Sequence, residues 1–322
     1  MRLASFFAGV GGIDLGFEQT GYFDVVYANE IDPEPVKTYQ ANFNLEVDCR
    51  DIKEIEPNEL PDFDIMAGGF PCQAFSIAGY RKGFEDEKGR GVLFFEMLRI
   101  IIARHPRVVF LENVKNLVGH DNGNTFRVIL DSLRQNGYHV KYQVLNGMTY
   151  GNVPQNRERI YVVAFLNEDD YMRFEFPDPI PLTRAITDIV DTVHRVDDKF
   201  YYTADKYPRI FEELNVDDLR NDTIYQWRRV YLRENKSNVC PTLTANMGTG
   251  GHNVPLIKTQ YGLRKLTPKE CFMFQGFPED YVLPPTVSDT LLYKQAGNSV
   301  VVPVINRIAL EIARACRLQR GA

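Results

Sequence analysis

Residues 3–12 read LASFFAGVGG, an apolar run that stops on a glycine turn, and the stretch that follows, IDLGFEQTG (13–21), is helical in pattern. Apolar run, glycine turn and helix, in that order, open a parallel α/β unit. Working outward, DVVYAN (24–29), DIMA (64–67, halted at Gly68-Gly69), RVVFL (107–111) and RIYVVAF (159–165) are further runs of β-branched and aromatic residues bounded by polar turns. Between them, LFFEMLRIIIA (93–103) and residues 125–133 carry apolar side chains at helical spacing. The alternation predicts an α/β fold built on a mostly parallel, doubly wound sheet. The pattern changes after Leu166. Residues 167–260 are richer in Asp, Asn, Tyr and Pro and include MGTGG (247–251), so they read as a second, smaller domain with a twisted sheet and long loops. Residues 299–317 return to helical spacing through Val302, Ile305, Ile308, Ala309 and Ile312. Such a helix needs an apolar surface, which the first domain's sheet would supply, so the large domain is expected to be discontinuous.

Composition narrows the class. With 44% hydrophobic and 25% charged residues in 322, the chain is neither disordered nor a small disulfide scaffold. A net charge of −6 excludes a protein that coats nucleic acid through bulk positive charge, although a basic cleft can sit on an acidic chain. The five cysteines are scattered without a CxxC pair, which reads as reduced thiols and no zinc cage. No apolar run reaches membrane-spanning length, and the first residues lack the apolar core and cleavage site of a signal peptide. No membrane association and a cytoplasmic location are therefore expected.

Several residues sit where chemistry is done in such a fold. Gly9, Gly11 and Gly12 let the backbone approach a ligand at a helix start, and Glu30, at the end of the second run, is placed to accept from ribose hydroxyls. Asp51, in DCRDI (48–52), could hold an adenine amine. A tight turn with two solvated carboxylates is the plainer alternative, and the departure from GxGxxG argues against a pyrophosphate. Cys72, in GGFPCQAFS (68–76), stands in a Gly/Pro turn at a strand end, where a nucleophile is favoured over an inert thiol. The polar IAGYRKGFEDEKGRG (77–91) reads as a loop able to close over a substrate. Glu112, after RVVFL, suits a proton donor, or with Asn113 caps a helix. Arg157 and Arg159 alternate on entering a strand, so both are expected on one face, binding an oxygen-bearing ligand or a carboxylate. Trp227, Arg228, Arg229, Tyr231 and Arg233 are phosphate-contact candidates, or else one solvated helix face.

Taken together, FAGVGG, NEID, RDI, GGFPCQAFS, FLENVKN, VPQNRERIY, RKLTPKEC and QAGNSV closely resemble, in order, the blocks of the DNA (cytosine-5)-methyltransferases, in particular the short bacterial modification enzymes. The resemblance runs from Phe7 to Val300. It implies a Rossmann-like S-adenosylmethionine-dependent methyltransferase fold, with a catalytic domain at 1–183 completed by about 290–322. It also implies a target-recognition domain at 184–267 and a hinge at 268–289. S-Adenosylmethionine, released as S-adenosylhomocysteine, would be held by Phe7, Gly9, Gly11, Gly12, Glu30, Ile31, Asp51, Ile52, Gly69, Pro71, Leu93, Asn298, Ser299 and Val300, with no metal. Ile31 stands where the family often has a tryptophan over the adenine, so that contact would be aliphatic. Cys72 would attack carbon 6 of cytosine, Glu112 would face N3 and the amine, and Arg159, supported by Arg157, would face O2. Ser76, Arg81, Arg90 and Thr242 would touch nucleic acid. The implied partner is double-stranded DNA, bound by a monomer. A tRNA cytosine-5 methyltransferase or an inactive DNA- or cofactor-binding regulator are the alternatives, and the altered glycine motif disfavours a nicotinamide-dependent dehydrogenase.

Overall fold

The computed structural model describes residues 1–71, 92–213, 218–228, 231–235, 237–249 and 254–319. The chain divides into two compact units, one of Met1–Leu145, Glu158–Asp178 and Val304–Ala322, the other of Asn146–Arg157 and Pro179–Pro303.

The first unit is built on a seven-stranded sheet. Its strands are β1 (Arg2–Phe6), β2 (Asp24–Asn29), β3 (Val47–Asp48), β4 (Ile65–Gly68), β5 (Val108–Val114), β6 (His139–Asn146) and β7 (Glu158–Phe165), in the spatial order β3-β2-β1-β4-β5-β7-β6. β1 pairs in parallel with β2 and β4, β2 with β3 and β4 with β5, while β7 runs antiparallel to β5. The order of strands along the chain reverses between β1 and β4, which is where ligands bind in open α/β sheets. The intervening helices are α1 (Gly12–Glu18), α2 (Pro33–Gln40), α3 (Val92–Arg104) and α4 (Asn124–Gln135). α2 begins where Asp32 accepts from Glu34 N at 3.1 Å and Pro33 supplies a preset first turn. α4 buries Phe126, Ile129, Leu130 and Leu133, a spacing that lays one apolar stripe against the core. β6, with its half-alternating HVKYQVLN, has no counterpart in the sequence reading.

The C-terminal helix, Val302–Ala315, buries Val304, Ile305, Ile308, Ala309 and Ile312 completely. It is tied down by Asn306 Nδ2 donating to Gly16 O at 3.2 Å, Arg107 to Cys316 O at 3.1 Å and Arg173 to Ala315 O at 2.7 Å. The segment Asp289–Ala315 has the length and hydropathy of a membrane span, but it is two helices broken at Ser299 and two-thirds buried in the fold.

The second unit carries a four-stranded antiparallel sheet of β8 (Tyr225–Arg228), β9 (Tyr231–Glu234), β10 (Pro255–Thr259) and β11 (Gly262–Lys265), in the order β9-β8-β10-β11. Ile210, Tyr225, Val254, Leu256 and Leu263 form its core. Tyr225–Arg228 and Tyr231–Glu234 are thus paired antiparallel strands. The helix-face alternative fails because Leu232 pairs across with Trp227 and Arg233 with Gln226. Helix Pro268–Phe274 belongs to this unit. Around it, Phe272 stacks on Tyr281 while Phe277 meets both rings edge-on, and Gln275 donates to Ala296 O at 2.7 Å. Arg264, fully buried, pairs with Glu270 at 2.6 Å, and Glu270 also accepts from Thr267 N in a capping box.

Candidate active site

Strand register assembles the site in the first unit. Asn29, Phe6, Gly68 and Leu111 lie side by side across β2, β1, β4 and β5. One residue further along each strand come Glu30, Phe7, Gly69 and Glu112. Four of the sequence-predicted residues therefore form a row along the carboxyl ends of the strands, spanning the β1/β4 switch point.

At one end of the row, Glu112 pairs across the antiparallel neighbour with Tyr161, so Arg159, two residues away on β7, shares its face. Arg159 Nε lies 3.2 Å from Glu112 Oε1, and both side chains are largely buried. Glu112 is within β5, so it caps no helix. A Cβ on Gly69 would stand 3.2 Å from Glu112 Oε2, which is why the turn leading to Cys72 can lie against the carboxylate. Asn113 Nδ2 donates to Phe70 O at 2.8 Å and holds the same turn; the sequence singled Asn113 out only as a possible cap. Cys72, Ser76, Arg81, Arg90 and the 77–91 loop lie outside the described residues, as does Arg229. Pro71 is exposed at the boundary and Leu93 is half-buried.

At the other end stands the glycine loop. Phe7 has φ 55°, a left-handed conformation rare for an aromatic residue, followed by Gly9 at 56° and Gly11 at 77°. Gly9 N donates to Glu30 Oε2 at 3.0 Å and Asp32 N to Oε1 at 2.8 Å, so the loop and the carboxylate fix one another. Ile31 is 57% exposed, a large apolar side chain turned outward beside the carboxylate. Asp51, half-buried, accepts from Lys53 N at 3.1 Å. The strand end before it is ordered by buried Asn29, which donates to Asp48 O and Arg50 O and was not identified from sequence. Ile52 is 3% exposed and packs in the core.

The two arginines differ from the expected same-face pair. Arg157, in the second unit, is 2% exposed and donates to Leu243 O at 2.8 Å, Gly297 O at 2.9 Å and Ser299 O at 2.5 Å. Its charge is spent on three carbonyls, whereas Arg159 faces a carboxylate. Thr242 Oγ1 donates to Asn156 O at 2.6 Å and Leu243 N to Gln155 Oε1 at 3.1 Å. Asn298 is exposed, Ser299 and Val300 buried. Among the described residues, no cluster of three His, Cys, Asp or Glu could hold a metal ion.

A doubly wound sheet with one antiparallel strand and a strained glycine loop at its switch point is the fold of the S-adenosylmethionine-dependent methyltransferases. Residues 1–314 match the C-5 cytosine-specific DNA methylase family, and the chain belongs to it. It is a DNA (cytosine-5)-methyltransferase, a class of enzyme that uses S-adenosylmethionine and acts on DNA. It is 63% identical over 315 residues to the Type II methyltransferase M.Bsp6I of Bacillus sp. (strain RFL6), covering 97% of this chain and 98% of that one. To the Type II methyltransferase M.HhaI of Haemophilus parahaemolyticus it is 37% identical over 325 residues, covering 97% and 94%. The crystal structure of the S. pombe Dnmt2 methyltransferase superposes with a TM-score of 0.75 over 98% of this chain and 99% of that one; at 20% identity this is a likeness of fold.

Proposed function

We propose that the chain methylates carbon 5 of a cytosine extruded from duplex DNA within a short recognised sequence, as the modification partner of a restriction endonuclease. The observation that carries the chemistry is the Glu112–Arg159 pair packed against the turn that leads to Cys72. Carbon 5 of cytosine is too poor a nucleophile to take a methyl group unaided. Addition of the Cys72 thiolate at C6 makes C5 enamine-like, while Glu112 gives a proton to N3 and Arg159 stabilises O2. After C5 has taken the methyl group, a base removes the C5 proton and the thiolate departs, restoring the ring. These atoms are inaccessible in a stacked duplex, so the base must leave the helix, at a cost of a few kcal/mol.

The residues around the glycine loop fit S-adenosylmethionine. Glu30, fixed against the glycine loop by Gly9 N, is a carboxylate of the kind that holds a ribose diol, exposed Ile31 offers an apolar face to an adenine, and the left-handed Phe7 turn brings backbone close to a ligand. The cofactor supplies an electrophilic methyl group. Residues 184–267, with the β8–β11 sheet, are assigned to target recognition, and 268–289 to the connection back to the catalytic part at 1–183 and 290–322. The protein is assigned a monomeric state, a cytoplasmic location and a metal-free mechanism.

The test is base-resolved bisulfite sequencing of unmethylated, sequence-diverse DNA after incubation with the protein and S-adenosylmethionine. Protected cytosines should fall within one recurring short motif, and Cys72→Ala should abolish protection while retaining cofactor binding. Methyl transfer to tRNA and none to DNA would overturn the reading.

A further inference from the structure

Beneath the glycine loop lies a buried carboxyl group that the proposed reaction does not use. Asp14, in the first turn of α1, is fully buried, as are Ser5 of β1 and Tyr39 of α2. Ser5 Oγ donates to Asp14 Oδ1 at 2.5 Å and Tyr39 Oη to Oδ2 at 2.7 Å. One side chain thus joins the strand entering the loop, the helix leaving it and the neighbouring helix. Tyr39 carries the connection further, since its ring stacks on Phe43 at 4.4 Å. Those two rings are what a Cβ on Gly11 would strike, at 2.3 Å for Phe43 and 3.0 Å for Tyr39. The wall of the loop at Gly11 is therefore positioned by a hydroxyl anchored on Asp14.

We infer that Asp14 is a positioning residue for cofactor binding: with both its oxygens accepting from Ser5 and Tyr39 it brackets the glycine loop in the shape that receives the ligand. The inference rests on the assignment of that loop to S-adenosylmethionine. Protonation takes one oxygen out of this arrangement, because a neutral acid must donate its proton to one of the hydroxyls. Burial pushes the Asp14 carboxyl up to about 6, against the two hydroxyl donors that pull it down. The ionisable groups bearing on it are Glu18, one turn along α1, which raises it further, and Tyr39 of α2. Glu18 is itself raised by burial and by Asp24. The bracket consequently opens and closes within the pH range in which such an enzyme is assayed.

Calorimetric titration with S-adenosylhomocysteine at pH 5.5 and pH 8 tests this on the full chain. Wild type should bind roughly tenfold more tightly at pH 8 than at pH 5.5, the scale of one charge-assisted hydrogen bond. Asp14→Asn should bind about tenfold more weakly than wild type at pH 8 and show little pH dependence, with a melting temperature at pH 8 no lower than wild type. Tyr39→Phe, which removes one donor and keeps the ring, should fall between them, and it carries the test if Asp14→Asn fails to fold. Wild-type affinity in these variants, or the wild-type pH profile persisting in Asp14→Asn, overturns the inference. Glu30→Ala separates the two levels: if it binds normally, the cofactor assignment of the loop has failed; if it loses binding while Asp14→Asn does not, only the bracket has.

Discussion

Glu112 and Asp14 are both buried carboxylates of the first unit, yet their surroundings set them opposite tasks. Glu112 faces the Arg159 guanidinium and the bare backbone of Gly69, and the proposed reaction makes it the proton donor to N3. Glu112→Gln keeps the shape and removes the acid. It should lower the single-turnover methylation rate by roughly 10²–10³ while DNA affinity changes little. A rate near wild type, measured by tritium transfer, would remove Glu112 from the chemistry. Asp14 faces hydroxyls, and burial raises its carboxyl from 3.8 to about 6. A raised folded-state value means that the fold favours the protonated form. The stabilisation is complete below about pH 3.8 and is lost as pH rises through about 6. That loss amounts to about 3 kcal/mol. Asp14→Asn cannot ionise, so urea unfolding should find it more stable than wild type at pH 8, with the difference closing towards pH 4. The places of Glu30 at the end of β2, Glu112 on β5 and Arg159 at the start of β7 were legible because motif order brought them forward. Asp14 was not, since a lone acid in a helical run reads as surface until Ser5 and Tyr39 are seen to close over it.

At the scale of elements, strands with unbroken apolar runs were read correctly, because a strand buried on both faces has little freedom in composition. β6 escaped notice because HVKYQVLN mixes exposed and half-buried positions at the edge of the sheet. The Trp227–Arg233 stretch stayed ambiguous for a related reason: alternating large and charged residues satisfy either period over so few positions, and only cross-strand pairing decided for strands. Register also did what motif reading could not. Sequence alternation put Arg157 and Arg159 on one face, but the carbonyls of Leu243, Gly297 and Ser299 claim the first of them. Those carbonyls converge because Gly297, in helix Asp289–Asn298, has no side chain: a Cβ there would lie 2.2 Å from the Thr244 carbonyl carbon and 2.4 Å from Ala245 N. Backbone at that distance cannot swing aside as a flexible side chain could. Gly297→Ala should therefore cost about 1–3 kcal/mol in denaturant unfolding, and Arg157→Met, which abandons three carbonyls, should cost at least as much. A neutral Gly297→Ala would mean that the Thr244–Ala245 chain is free to retreat.

For the whole molecule, the constraint is charge. A protein of net charge −6 must hold a polyanion through a few local cations against a repulsive average field. Affinity for DNA should then depend steeply on salt, while affinity for S-adenosylhomocysteine, which the proposed site would hold by hydrogen bonds and apolar contact, should be nearly flat. Each phosphate neutralised adds about −0.9 to the slope of log affinity against log salt. Arg81 and Arg90 flank the acidic FEDEK (84–88) in the segment that follows Cys72, and they are the guanidinium groups proposed to touch nucleic acid there. Replacing both with Ala should make the slope shallower by about 2, weaken all DNA sequences nearly uniformly, and leave cofactor affinity as it was. If the slope is unchanged, phosphate contact must come from elsewhere, and the Trp227–Arg233 stretch becomes the next place to remove positive charge. If affinity falls for the recognised sequence alone, the arginines touch bases rather than phosphates, and the segment after Cys72 shares in choosing the target.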